Sequence, residues 1–237
     1  MQSAYFSYAL LAALATALVV AAVTDIKRRE IANRLNAGIA LAAPLWWLSI
    51  GLGWTGIGIQ IGLALATFAI CCVLFVLRQM GGGDVKLLAA LALWFAPAPF
   101  LQLIVLMAVV GGGASVAMAA FNMERRPGEA LCDIGAWLVA AGWTFVAAAM
   151  AWALATGRPL ISPELVDSLL SSSRSPALVA AGTLLGLLAL FALGFFHIKR
   201  RQKSRLRVPY GVAIAAAGLW VAAATGISAF HAAPVLG

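Results

Sequence analysis

Eight apolar runs separated by short polar segments leave this chain few ways to fold. A run of about 20 apolar residues can cross a bilayer as a helix, which satisfies its own backbone polar groups. The runs cover about 5–23, 35–50, 57–77, 85–95, 100–121, 134–155, 177–196 and 209–230. The fourth is short for a full span and stops at Pro97 and Pro99. Of 237 residues, 64% are hydrophobic and only 10% are charged, far from the composition of a soluble globular chain. The expected fold class is all-α, a polytopic transmembrane bundle of about eight helices. It is read as a single integral membrane domain over 1–237. A motif-bearing core occupies 1–121, a middle with two helices 122–206, and a C-terminal helix 207–237. The first run lacks the charged start of a secretory signal, so it is expected to be retained.

The basic residues sit in the short loops and set the direction of the chain. With the N-terminus outside, the loops after runs one, three, five and seven face the cytoplasm and hold 14 of the 16 Lys and Arg residues. Only Arg158 and Arg174 fall on the other side. The net charge of +8 is therefore a topology signal, and no nucleic-acid partner is expected. The stretch Lys199 to Arg207 reads as a topology determinant in contact with anionic lipid. Trp46, Trp47, Trp54 and Trp94 read as interface anchors. Gly111 to Gly113 reads as a site of close helix packing. Cys71, Cys72 and Cys132 form no CxxC pair, so neither a zinc site nor a disulfide framework is indicated. His197 and His231 fall at opposite faces. No metal and no cofactor is expected.

The chemistry concentrates in two loops. Gly81-Gly82-Gly83-Asp84-Val85-Lys86 puts an acid and a base beside three glycines. Thr24-Asp25-Ile26-Lys27-Arg28-Arg29-Glu30-Ile31-Ala32-Asn33 closes the first run. A carboxylate at the edge of a bilayer is costly and usually has a function or a partner. The topology places Asp25 and Asp84 at similar depth on the cytoplasmic side. Two close carboxylates cannot both ionise easily, so the pair holds one proton. The ionised member can take a proton from water while the protonated one polarises a carbonyl, which is metal-free peptide hydrolysis. The glycines tolerate unusual dihedrals and admit another backbone. Blander readings stand beside these. Asp25 could pair with Lys27 or Arg29, Asp84 could serve the start of its helix, and the glycines could be a plain turn. Lys86 reads first as an anchor or charge partner. Asn33 could cap the second helix or bind substrate.

Gly81-x-Gly83-Asp84 resembles the GxGD motif of the type IV prepilin peptidases, membrane aspartic proteases related in motif to archaeal preflagellin peptidases. Asp25, Arg28-Arg29, Ile31 and Asn33 match the family's first motif, an Asp followed by a basic run and Ile-Pro-Asn, with Ala32 in place of the usual Pro. Val208-Pro209-Tyr210-Gly211 resembles the Pro-Tyr-Gly segment of the short, tight-adherence branch. The resemblance covers 1 to about 121 well and about 207 to 230 moderately. It implies an aspartic endopeptidase that removes the leader of pilin-like precursors at the cytoplasmic face of the bacterial inner membrane. Asp25 and Asp84 are the implied dyad. Gly81, Gly83, Lys86, Asn33, Pro209, Tyr210 and Gly211 are the residues expected to shape the site. Larger members also carry paired CxxC motifs and methylate the new N-terminus. That module is missing here, so peptidase without methyltransferase activity is expected. The bilayer and the precursor are the expected partners, and the sequence does not fix the oligomeric state.

Two rivals belong to other classes. A proton- or cation-coupled transporter would relay charge through intramembrane acids. Both acids here lie at one face and no inverted repeat is visible, which argues against it. An inactive pilus or secretion assembly factor would tolerate Asn at both aspartates. The stretch Ser175-Pro176-Ala177-Leu178 echoes the Pro-Ala-Leu of presenilins and signal peptide peptidases. The charge count puts it on the outer face, so it is read as chance.

Overall fold

The computed structural model describes residues 2–124, 129–159, 162, 164, 168, 176–201 and 210–232. Eight helices are present among them: α1 (Gln2–Arg28), α2 (Asn33–Ser49), α3 (Trp54–Val76), α4 (Gly82–Ala92), α5 (Pro97–Phe121), α6 (Ala130–Thr156), α7 (Pro176–Arg200) and α8 (Tyr210–Ala232). The all-α class expected from the apolar runs is what the chain adopts, with no strand among the described residues. Five helices, α1, α3, α5, α6 and α8, are long and apolar enough to cross a membrane. The chain divides into two compact units. One comprises 1–108 with 209–237, the other 109–208.

In the first unit, α4 is the central element. It packs against α2, α3 and α8, while α1 runs along α2 and α8. Val85, Leu87, Leu88, Ala90, Leu91 and Ala92 are all buried. A helix that is apolar over most of its surface is one enclosed over most of it, and Lys86 keeps the remaining side of α4 exposed. Gly218 lets α8 approach closely, since a Cβ there would lie 3.0 Å from Leu18 on α1.

The 11 residues of α4 rise about 16 Å, roughly half the hydrocarbon thickness. A helix this short leaves its last carbonyls at a depth where water cannot serve them. Side chains serve them here. Trp47 Nε1 donates to the Leu93 carbonyl at 2.7 Å. Gln60, with its amide turned to suit its neighbours, donates to the carbonyls of Ala92 and Phe95, both at 2.9 Å. Trp94 Nε1 donates in return to the Ile39 carbonyl at 2.8 Å and stacks on Trp46. The expectation that these tryptophans anchor the interface is therefore corrected. Trp46, Trp47 and Trp94 are buried and tie α4 to α2, and of these four Trp54 alone is exposed. A period-based reading cannot separate the two roles, because both need an apolar body with one polar tip.

The second unit is built on α6 and α7, which pack together. Its core holds Val116, Ala119, Ala120, Met123, Ala136, Ala140 and Ile198. Trp143 stacks on Phe191 with ring centres 4.0 Å apart. The packing role read for Gly111 to Gly113 is visible at Gly113, where a Cβ would lie 2.8 Å from that of Ala147. Arg201 is buried and donates to Asp133 at 2.8 Å and to Glu129. His197 Nε2 lies 3.3 Å from the same Asp133 oxygen. Arg201 thus departs from the lipid-facing role read for the whole basic stretch. A buried guanidinium needs carboxylate partners, and α6 supplies them. Arg125, Arg126 and residues 202–209 lie outside the described residues, as does Ser175.

Candidate active site

The two motif loops begin alike. α1 ends at Arg28 and is followed by Arg29, whose φ is 55° and whose N–H donates to the Asp25 carbonyl at 2.9 Å. α3 ends at Val76, and Arg78 follows two residues on, with φ 57°. The Gln79 N–H donates to the Leu74 carbonyl at 2.9 Å, and the Arg78 N–H to Phe75 at the same distance. Left-handed residues reverse the chain just past a helix end. Each reversal hands the chain to a motif segment. Asp25 sits in the last turn of α1 and Asp84 in the first turn of α4.

Both aspartates line one cavity of about 520 Å³, together with Arg28, Arg29, Asn33, the three glycines 81 to 83 and Lys86. The Asp25 carboxyl is buried. The N–H groups of Gly211 and Val212, at the free start of α8, face it. Its Oδ2 nevertheless makes no hydrogen bond of full geometry. Donors at a helix start favour an anion. The Asp84 carboxyl is pushed up to about 6, mainly by burial and next by the negative charge of Asp25. The Gly81 N–H works against this by hydrogen bonding to the carboxylate. Gly81 is the N-cap of α4, so this contact is half of a capping box.

The glycines serve space, not dihedral freedom. Gly81, Gly82 and Gly83 lie outside the positive-φ set, which differs from the sequence expectation of unusual dihedrals. A Cβ on Gly81 would lie 3.0 Å from Asp84 Oδ2, and one on Gly83 would lie 3.2 Å from the Ile31 Cβ. At Gly211 the constraint is tighter, with Asp25 Oδ2 at 2.7 Å and Ile31 Cδ1 at 2.8 Å. Ile31 is buried. It is the wedge on which the Gly83 and Gly211 backbones close.

Of the remaining residues named from the sequence, Lys86 and Asn33 meet each other, Nζ donating to Oδ1 at 2.8 Å. Tyr210 begins α8 beside Gly211 and is half-buried. Pro209 lies outside the described residues. Ala32, which replaces the family's usual Pro, has φ −61° and ψ 133°. That is the backbone a proline would take, so the entry into α2 keeps its course without one.

Asn36 was missed in the sequence. It is buried on α2, its Nδ2 donates to the Gly83 carbonyl at 3.2 Å, and its Oδ1 has no donor. The available signal was a second amide three residues after Asn33, on the same helical face of an otherwise apolar run.

Residues 12–116 match the model of the type IV leader peptidase family. Comparison with curated proteins and with solved structures gives no match. The matched segment contains both aspartates and both motif loops, and over those residues the chain is similar to the type IV leader peptidase family.

Proposed function

We propose that the chain removes the leader peptide of pilin-like precursors at the cytoplasmic face of a bacterial inner membrane, with Asp25 and Asp84 as its catalytic dyad. One observation carries this reading. Two aspartates distant in sequence line one cavity, and burial together with the charge of the first raises the second to about 6. Such a pair holds a single proton. Asp84 keeps it, and Asp25 accepts the proton of an attacking water. Asp84 then donates a hydrogen bond to the scissile carbonyl. No cofactor takes part in this scheme. The leader of the precursor lies among the basic loops, and its apolar helix stays in the bilayer. The distribution of Lys and Arg supports the cytoplasmic placement.

The test is co-expression with a tagged pilin-like precursor, with leader removal followed by gel mobility and N-terminal sequencing. Asp25→Asn and Asp84→Asn should each cut the rate by about 100-fold or more, the usual scale for a lost general acid or base. Membrane levels are matched by immunoblot. Cleavage that survives both substitutions would overturn the dyad.

A further inference from the structure

We propose that a groove formed by α2, α3 and α4 is the docking site for the apolar helix of the precursor. The inference rests on the peptidase reading above and names where the non-reacting part of its substrate lies. The groove has a volume of about 430 Å³. Each of its three helices contributes one stripe at positions i, i+3, i+4 and i+7: from Asn33 on α2, from Ile61 on α3 and from Lys86 on α4. Such a stripe is one face of a helix over about two turns. Three parallel stripes make a trough the length of two helical turns.

Its floor is made of small side chains, among them Ala37, Ala40, Ala64 and Ala89. Between helices in a bilayer, where apolar surface gains nothing by leaving lipid, close backbone approach over small residues is what favours association. Leu65 and Phe68 stand at the rim and are exposed.

Two further observations point to a helix rather than an acyl chain. First, the groove and the aspartate cavity share Asn33 and Lys86. An occupant lying in the groove therefore presents its end to Asp25 and Asp84. Second, Asn36 lines the groove with a buried Oδ1 that has no donor. A buried acceptor without a donor is costly, and an occupant that supplies a donor relieves that cost. An acyl chain has no N–H to offer. A helix whose first turn begins just after a cleavage site has free N–H groups in that turn. The acceptor stands two helical turns or less from the residues that hold the dyad cavity open.

The experiment has two arms. In the first, Ala40→Cys, Ala64→Cys and Leu41→Cys are made in the full chain, with its three native cysteines changed to Ser. Each is co-expressed with a pilin-like precursor carrying a single Cys in the first two turns of its apolar helix, and disulfide cross-links are counted. Leu41 neighbours Ala40 but faces outward, 77% exposed. Cross-links at Ala40 and Ala64 at least tenfold above those at Leu41 support the groove. Equal yields, or none at Ala40 and Ala64, overturn it. In the second arm, Ala64→Leu fills the groove. Cleavage of the precursor should fall at least tenfold relative to cleavage of a peptide with the same leader and a Gly-Ser tail in place of the helix. An equal fall for both substrates overturns the proposal. Cross-linking without any cleavage by the unsubstituted chain would retain the groove and sink the peptidase reading, so the two ideas fail separately.

Discussion

At the scale of single residues, Asp84 decides when the proposed site can work. Its carboxyl sits at about 6, against an ordinary 3.8. The folded value is raised, so the fold favours the protonated form. The contribution of Asp84 to stability is fullest below about pH 4 and is lost as pH rises through about 6, on the order of 3 kcal/mol in all. Activity that needs the proton on Asp84 must fall over the same range. We predict an alkaline limb in kcat/KM centred near pH 6, because that ratio reports the free enzyme. A profile measured in detergent micelles checks this. A flat profile up to about pH 8 would remove Asp84 as the proton carrier. Loss of fold and loss of the proton run in the same direction here, so a second measurement separates them. Asp84→Asn should abolish cleavage and also remove the decline of Tm that Asp84 causes between about pH 4 and 6, since no carboxyl remains at that position to ionise.

At the scale of elements, α4 shows what the sequence could and could not reveal. Its existence was legible in an apolar run, and its start in Gly81 and Asp84. Its shortness was legible too, from Pro97 and Pro99. What served its exposed C-terminal carbonyls was not. Trp47 lies 46 residues from the carbonyl it caps, and Gln60 reaches the same turn from α3. Partners brought together only by packing leave no local pattern to read. The loops behaved differently. Asp25, Ile31 and the glycines carry fixed spacings legible in the sequence, and the segments they mark line one cavity. At these glycines close approach matters and unusual dihedrals do not. The capping role makes a prediction. Trp47→Phe keeps the ring but removes the donor to Leu93, and should cost about 1–3 kcal/mol. Thermal unfolding in detergent reads this as a lower Tm. Trp54→Phe should leave Tm unchanged, because Trp54 is 89% exposed. Equal Tm values for the Trp47 variant and the parent would mean the Leu93 carbonyl finds another donor.

At the scale of the whole molecule, the proposed chemistry depends on which side of the membrane the loops face. Among the described residues five helices are able to cross a bilayer by length and composition, and no feature of such a helix by itself gives a direction. Direction comes from charge. The Lys and Arg residues near Asp25 and Asp84 belong to the same set as those flanking α6 and α7, so one assignment fixes all of these loops together. The chain carries a natural reporter of it. Cys132 is exposed at the start of α6, six residues after Arg126 in the sequence. Cys71 is buried and Cys72 half-buried within the apolar α3. The proposed orientation puts Cys132 in the cytoplasm and Gly157, at the other end of α6, outside. A membrane-impermeant maleimide should therefore leave Cys132 unlabelled in spheroplasts and label it in inverted vesicles. A Gly157→Cys chain with Cys132 changed to Ser should do the reverse. Gly157 has φ 68°, so this substitution carries some strain. Ala155→Cys, two residues earlier in the helix, provides the same readout without it. Labelling of Cys132 from outside would turn the whole set of loops over, and with it the cleavage site. A leader held in the cytoplasm could then not reach the aspartates.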